Sequence, residues 1–599
     1  MKFLYNPLES KFNKKGGAIK RGLLFSVKVD SSGNRCNLIL IEDKSNKKAV
    51  YEMDKINGGF KLSVKGLKNG LYFYCFECDG IFYGRDDFLN AKSYKNYSEV
   101  CFYQLTVYSS CYNTPNWLTG GIIYQIFPDR FNKVDNPSIK NKPVMRNWGE
   151  QPYYKPNKDG KILNNDFFGG NFLGIKEKLP YLKSLGVTAI YLNPISSSYS
   201  NHRYDTSNYL ELDSLLGSEE DFLDLVNSAE KEKIAIIFDG VYNHTGDDSL
   251  YFNKYGNFDS VGAYQSKNSP YYDWYTFENY PDDYTCWWGI NVLPTINKNS
   301  KNFEDFILNK VLPKYFNFGL QGVRLDVVDE LPASFVKKIR RKVKNLNKNA
   351  VIIGEVWEDA TNKIAYSTRR EYFQGGELDS VMNYPLKNAI IDYLLLGNSS
   401  VLAKTVLEQI NNYPKQSLNL LMNVLGTHDT ARILTVLSGK PIPKTRQEQA
   451  DFTLTETERN LAISRLKIAF AIAYTIYGVP SVYYGDEIGL EGCKDPFNRC
   501  CMNFDSANRE ILSFVKLLGK IRTSNSVFST GSVKVLSYER GVFSFKRYND
   551  LEEITVIVNA GNENYNVYAT NCIELLTNQS KSEYSLDKYS VLILKRRDL

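Results

Sequence analysis

Apolar positions along the chain follow two rhythms. Over residues 1 to 112, short runs such as "LLFSVKV", "CNLILIE", "KLSVKG", "LYFYCFE" and "CFYQLTVY" are separated by Gly, Asn and Asp turns, the spacing of a small antiparallel β-sandwich. From "GGIIYQIFP" onward, apolar runs alternate with amphipathic helical stretches. The runs fall at 121–127, 187–193 (VTAIYLN), 234–239 (IAIIFD), 321–326, 350–355 (AVIIGE), 378–383, 419–425 (NLLMNVL) and 479–484. Eight such strands with intervening helices predict an α/β fold, a (β/α)8 TIM barrel. The longest gap, about 245–300, is rich in Tyr, Trp, Asn and Asp and reads as an inserted subdomain. After 520 the short strands return ("VKVLSYE", "VFSFKRY", "EITVIVNA", "SVLILK") as a C-terminal β-sandwich. The expected domains are therefore 1–112, 113–519 and 520–599.

Composition narrows the function classes. The 599 residues are 43% hydrophobic and 24% charged, globular values, with 43 Tyr and 33 Phe. The net charge of +7 is dispersed among 67 acidic residues rather than gathered in a basic stripe, which argues against a nucleic-acid partner. The longest apolar run, "IAFAIAYTIYGVPSVYYG" at 468–485, is broken by Gly478 and Pro480, so it reads as a buried helix and strand rather than a membrane span. The first residues lack a hydrophobic leader core and a small-residue cleavage site, which implies a cytoplasmic location, or secretion if a leader has been removed. Ten Cys are present. Cys75 and Cys78 form one C-x-x-C, but three residues apart on a strand they face opposite ways, and no second pair completes a zinc site. Free thiols in a reducing compartment are the expectation.

The chemistry concentrates at the ends of the central runs. In "GVRLDVVDE", Val323 and Leu325 point one way while Arg324 and Asp326 share the other face about 7 Å apart, an arrangement too costly to bury without use. Four runs end in acids: Asp239, Asp326, Glu355 and Asp429. In a barrel all four reach the C-terminal rim, where such folds place their sites. The chain has only three histidines, His202, His244 and His428, and each lies just past one of the runs, without zinc-binding spacing. Neutral imidazoles among carboxylates suit hydrogen bonds to sugar hydroxyls. Paired carboxyls about 5 to 5.5 Å apart are the machinery of a retaining glycosidase. Arg324 is expected to keep Asp326 ionised as a nucleophile, and the apolar flanks Val356 and Trp357 to raise Glu355 into the range of a general acid.

Eight ordered motifs, "GIIYQIFPDRF", "SNHRYDTSNY", "DGVYNH", "LPTIN", "GVRLDVVDE", "GEVW", "VLGTHDTAR" and "GVPSVYYGDEIGLEG", resemble the α-amylase family of glycoside hydrolases across about 117–515. The pattern is most similar to its cyclomaltodextrinase, maltogenic amylase and neopullulanase branch. The resemblance implies a retaining α-glucan hydrolase acting on maltooligosaccharides, cyclodextrins or pullulan. A starch-degrading α-amylase or an α-glucosyl transferase would use the same residues, whereas a non-catalytic carbohydrate-binding protein would be expected to lack one of the carboxylates. It casts Asp326 as nucleophile, Glu355 as acid/base and Asp429 as the third carboxylate. Arg324 orients the nucleophile, His244 and His428 bond the sugar, and Tyr204 stacks beneath it with Asn243, Asp239 and Asp205 in support. His202, Glu330, Trp357 and Arg432, within the same motifs, join the sugar-contacting set, and Glu330 also marks the branch. Val328, Asp329 and Glu358 depart from its pattern and leave α-1,4 against α-1,6 preference open. No cofactor is required for the chemistry. Calcium is left open: Asn132, Asp135, Asn136 and Asn171 are the candidate ligands, with Asn171 standing where a related motif carries Asp. The branch also implies a homodimer, with the N-terminal sandwich packed on a second subunit, or else a sandwich that binds glucan.

Overall fold

The computed structural model describes residues 2–134, 144–158, 160 and 162–597. Its centre is an eight-stranded parallel sheet. The barrel strands, numbered first to eighth, are Ile123–Ile126, Ala189–Leu192, Ala235–Gly240, Gly322–Leu325, Val351–Gly354, Ser380–Val381, Met422–Val424 and Val479–Tyr483, each overlapping one predicted run, with the third extending one residue past its run. Each strand pairs with its sequence neighbour, the first also pairs with the eighth, and a single bridge from Met382 to Met422 closes the ring between the sixth and seventh. Strand parity sorts the side chains into two cores. Ile123, Tyr191, Ile237, Ile353, Met422 and Val479 fill the barrel, while Tyr124, Ile190, Ile236, Val323 and Ile352 pack outward on the helices. The interior is thus a packed plug, and chemistry is confined to the rim.

The N-terminal sandwich is two sheets of four and seven strands. Its shared core includes Phe25, Val27 and Phe60 of one sheet and Leu38, Tyr74 and Leu105 of the other. Here the cysteine expectation is corrected, because Cys36 and Cys78 form a disulfide. They are directly opposed in register on the antiparallel strands Cys36–Glu42 and Gly70–Cys78, with Cα atoms 4.2 Å apart, within bonding reach. Cys75, on the opposite face of its strand, is a buried free thiol in a separate cluster with Ile39 and Val100.

The inserted segment wraps Tyr251, Phe252, Trp274 and Tyr275 onto Phe303 in the main core. The C-terminal five-stranded sheet turns Phe543, Phe545, Val556 and Val558 toward the barrel helices and holds a small core of Tyr584, Leu586, Leu592 and Leu594 on its other side. No helix among the described residues is long and apolar enough to cross a membrane.

Candidate active site

The fourth strand sets the centre of the rim. Val323 and Leu325 face the helices, so Arg324 points inward, fully buried. Its guanidinium Nη1 donates to Asp239 Oδ1 and to Asp326 Oδ1, both at 2.8 Å, and Nη2 lies 2.9 Å from Glu355 Oε2. One planar cation therefore gathers the acids of the third, fourth and fifth strands. Asp239 also accepts the hydroxyls of Tyr191 at 2.6 Å and Tyr204 at 2.7 Å. Arg324 supplies the one side-chain hydrogen bond to Asp326 among the described residues, which leaves the rest of that carboxylate free for a substrate.

Just past Asp326, the chain takes a turn that a β-branched residue rarely adopts: Val327 has φ 36° and ψ 52°, in the left-handed region. The strain aims its N–H at Glu355 Oε2, 2.9 Å away. Glu355 Oε1 accepts the indole N–H of Trp357 at 3.2 Å, and that half-exposed ring stacks on Tyr384 at 3.8 Å between centroids. The expected apolar pocket around Glu355 is thus corrected: Val356 is buried, but both carboxylate oxygens are met by polar groups.

Asp429 follows the seventh strand. His428 Nε2 lies 3.2 Å from it, and His428 Nδ1 is 2.9 Å from the amide of Gln125 on the first strand. The His428 ring lies parallel to Tyr204, 5.1 Å away. On the third-strand side, His244 is buried beside Asn243 and stacks on Trp287. Asn243 is fixed by Lys298. His202 Nδ1 is 3.0 Å from Ser200, whose hydroxyl and backbone N–H both bond Asp205, so this pair braces the loop that presents Tyr204.

Burial and charge act together on these groups. Burial pushes the Asp326 carboxyl well above its usual range, Arg324 pulls it down, and Glu355, Asp239 and Asp429 push it up. The expectation that Arg324 alone keeps Asp326 low is corrected, because that cation is shared among three carboxylates. Burial also raises Asp239, and with Glu355 it pushes Asp429 to about 7. His244 is brought down to about 3 by burial, and His202 and His428 fall well below their normal value, so all three imidazoles are neutral at pH 7. Lys298 drops to about 8 for the same reason.

Arg432 is the third correction among the site residues. It is fully buried behind the rim, donating to Asp486 at 3.1 Å and stacked on Tyr483 and Tyr484, so it braces the eighth strand rather than a sugar. The cation beside Asp429 is instead Arg499, with Nη2 at 3.9 Å and Nε donating to the His428 carbonyl at 3.0 Å. Sequence reading also missed Gln125, Tyr191, Lys298, Tyr384 and Asn193, which accepts from Gln125 at 3.0 Å and donates to the Tyr204 hydroxyl at 2.9 Å, because their roles appear only when separate segments meet. Asp329 and Glu358 both turn to Lys363, away from the acids.

The calcium candidates fare less well. Asn171 caps the helix Phe172–Glu177, its Oδ1 accepting from Gly174 and its Nδ2 donating to Val134 at 2.7 Å each. Asn132 donates to Gly174 O at 3.0 Å. Asp135 and Asn136 lie outside the described residues. Asn171 is engaged in capping and Asn132 in a bond to the same helix, and the other half of the candidate ligand set is not described, so calcium stays an expectation.

A closed parallel barrel that gathers three strand-end carboxylates on one arginine, with neutral imidazoles and a tyrosine platform around them, defines a carboxylate glycosidase. The family model "Alpha amylase, catalytic domain" matches residues 125–525, and the chain belongs to the α-amylase family. It is 36% identical over 534 residues to an amylopullulanase of Thermoanaerobacter thermohydrosulfuricus, covering 80% of this chain and 35% of that protein. A cyclomaltodextrinase of Thermoanaerobacter pseudethanolicus is 30% identical over 519 residues, covering 84% of this chain and 81% of that one. The chain therefore spans about a third of the amylopullulanase and most of the cyclomaltodextrinase. Among solved structures, the cyclic α-maltosyl-(1→6)-maltose hydrolase of Arthrobacter globiformis superposes with a TM-score of 0.68 at 26% identity, covering 81% of this chain and all of that one.

Proposed function

We propose that this protein is a retaining α-glucan hydrolase cleaving α-1,4 glucosidic bonds, with α-1,6 bonds as further substrates, in maltooligosaccharides, cyclodextrins or pullulan. The observation that carries the reading is the shared guanidinium: Asp326 and Glu355, on adjacent strands, sit at 2.8 and 2.9 Å from the two ends of Arg324. In the first half-reaction Asp326 attacks the anomeric carbon as the glycosidic C–O bond breaks, and Glu355 gives its proton to the departing oxygen. The product is a glycosyl ester on Asp326. In the second, Glu355 takes a proton from water as that water attacks the same carbon and frees Asp326. Tyr204 and His428 stack beneath and beside the ring, His244 bonds a hydroxyl, and Asp429 grips hydroxyls as the ring flattens. The names of its relatives, cyclomaltodextrinase and amylopullulanase among them, support the substrate class.

The test is hydrolysis of β-cyclodextrin, pullulan and soluble starch in parallel, with Asp326→Asn as blank. Preference for cyclodextrin or pullulan supports the proposed branch, and preference for starch places the enzyme with open-cleft α-amylases. No release of reducing sugar from any of the three refutes the reading.

A further inference from the structure

The loop after Glu355 carries a hairpin that the site above does not use. Ile364 pairs with Arg369 and Ala365 with Thr368, which makes Tyr366 and Ser367 its two central residues, at φ 49° and 59°. Positive φ at both positions suits Asn and Gly, so a tyrosine and a serine stay there only if their surroundings hold them. The holding contact comes from the N-terminal sandwich. Arg369 Nε and Nη2 each donate to Asp43 at 2.8 Å, a two-pronged pair that fixes direction as well as distance. Lys44, next in the chain, reaches Glu371 at 3.4 Å. Asp43 and Lys44 lie in the turn between the sandwich strands Cys36–Glu42 and Lys47–Glu52.

At the hairpin tip, Tyr366 is 69% exposed and its hydroxyl donates to Glu330 Oε1. The same oxygen accepts the indole N–H of Trp288 at 3.2 Å, from a ring that is 79% exposed on a residue with φ 51°. Two large rings held in solvent, on backbones neither favours, each directing its polar hydrogen to one carboxylate oxygen, form a surface that core packing does not explain. Such rings stack well on sugar faces. Their side of the cleft follows from the chemistry. The hairpin trails Glu355, which serves the leaving oxygen, and Glu330 stands four residues past Asp326. Tyr204, His428 and His244 surround the other partner of the bond.

We propose that Asp43 is a positioning residue for the leaving-group side of the cleft. Through Arg369 it sets the hairpin, and the hairpin sets the Trp288–Glu330–Tyr366 clamp on which glucose units beyond the scissile bond stack. The inference rests on the α-glucan reading above.

The test compares maltohexaose with 4-nitrophenyl α-maltoside, whose leaving group carries no sugar. Asp43→Ala is expected to lower kcat/KM on maltohexaose about five- to tenfold, mostly through KM, and to leave the aryl maltoside within about twofold. Arg369→Met should give the same split, and the double variant should lose no more than either single one. Equal losses on both substrates, or none on either, overturn the proposal. Turnover of both substrates by the unaltered protein checks the reading beneath it; without that turnover, reading and proposal fall together.

Discussion

Replacing Arg324 by Met asks what one cation does among three acids. Methionine fills similar length without charge, so the change removes the contacts at 2.8, 2.8 and 2.9 Å and little volume. Breaking a buried ion pair by deleting one partner costs about 3–5 kcal/mol, because the partner is left buried and uncompensated. Here the survivors are unequal. Asp239 keeps two tyrosine hydroxyls, and Glu355 keeps the Val327 N–H and the Trp357 indole. Asp326 loses its side-chain partner altogether, so the deficit should fall in the upper half of that range. The pH dependence has a definite sign. Burial already raises Asp239 and Asp326 while Arg324 opposes it. Without Arg324 the folded protein holds protons that an unfolded aspartate, with a pKa of about 3.9, releases. Stability of the variant therefore falls as pH rises from about 4 toward neutral and recovers on acidification. Guanidinium unfolding of both proteins at pH 5.5 and 7.5 should show a deficit of about 4 kcal/mol at 7.5 and a clearly smaller one at 5.5. Arg324→Lys, whose single ammonium cannot span three carboxylates, should fall between them. A Met variant as stable as its parent at pH 7.5, or a deficit that grows on acidification, would refute the shared-cation reading.

Asp326→Asn and Glu355→Gln should each fold normally and lose at least about a thousandfold in turnover on maltooligosaccharides, and near-full activity in either would displace the assigned roles. Val327→Gly relieves a left-handed β-branched residue worth about 1–2 kcal/mol and gives back about 0.5–1 kcal/mol in chain entropy. Thermal unfolding should therefore move little, whereas kcat should fall as the N–H that Glu355 accepts loses its fixed aim. Asp429, pushed up to about 7 by burial and Glu355, costs folding stability above its unfolded pKa, and a third of its side chain reaches solvent, which screens the cost. Asp429→Asn should accordingly raise stability by about 1–2 kcal/mol at pH 8 and by less at pH 5, while activity collapses, and equal effects at both pH values would contradict the sign.

The split between what was legible and what was not follows the range of each interaction. Strand parity and the rim rule act over a few residues, and they suffice to place Asp239, Arg324, Asp326, Glu355 and Asp429 at the barrel rim. The eight strands were legible for the same reason, since each is a short apolar run between breakers. The Cys36–Cys78 bond was not legible, because it depends on the register of two strands 42 residues apart in sequence. Nor was the choice of arginine at Asp429: Arg432 lies three residues away, yet its side chain turns behind Tyr483 and Tyr484, and Arg499 arrives from a distant loop. The charge on Asp326 was misjudged because pairwise reading assigns Arg324 to one acid, whereas the folded rim divides it among three.

That division has a consequence for how specificity is encoded. The groups around the bond-breaking carbon come from strand ends of one barrel, so local sequence fixes them and family resemblance carries them over. The leaving-group side is assembled from the inserted segment through Trp288, the fourth-strand loop through Glu330 and the hairpin through Tyr366, with Asp43 of a separate domain holding the hairpin. No single motif contains that surface. Two chains can therefore share every catalytic residue and still differ in which glucan they accept, and the N-terminal sandwich, remote from the carboxylates in sequence, becomes part of the specificity apparatus through the Asp43–Arg369 pair.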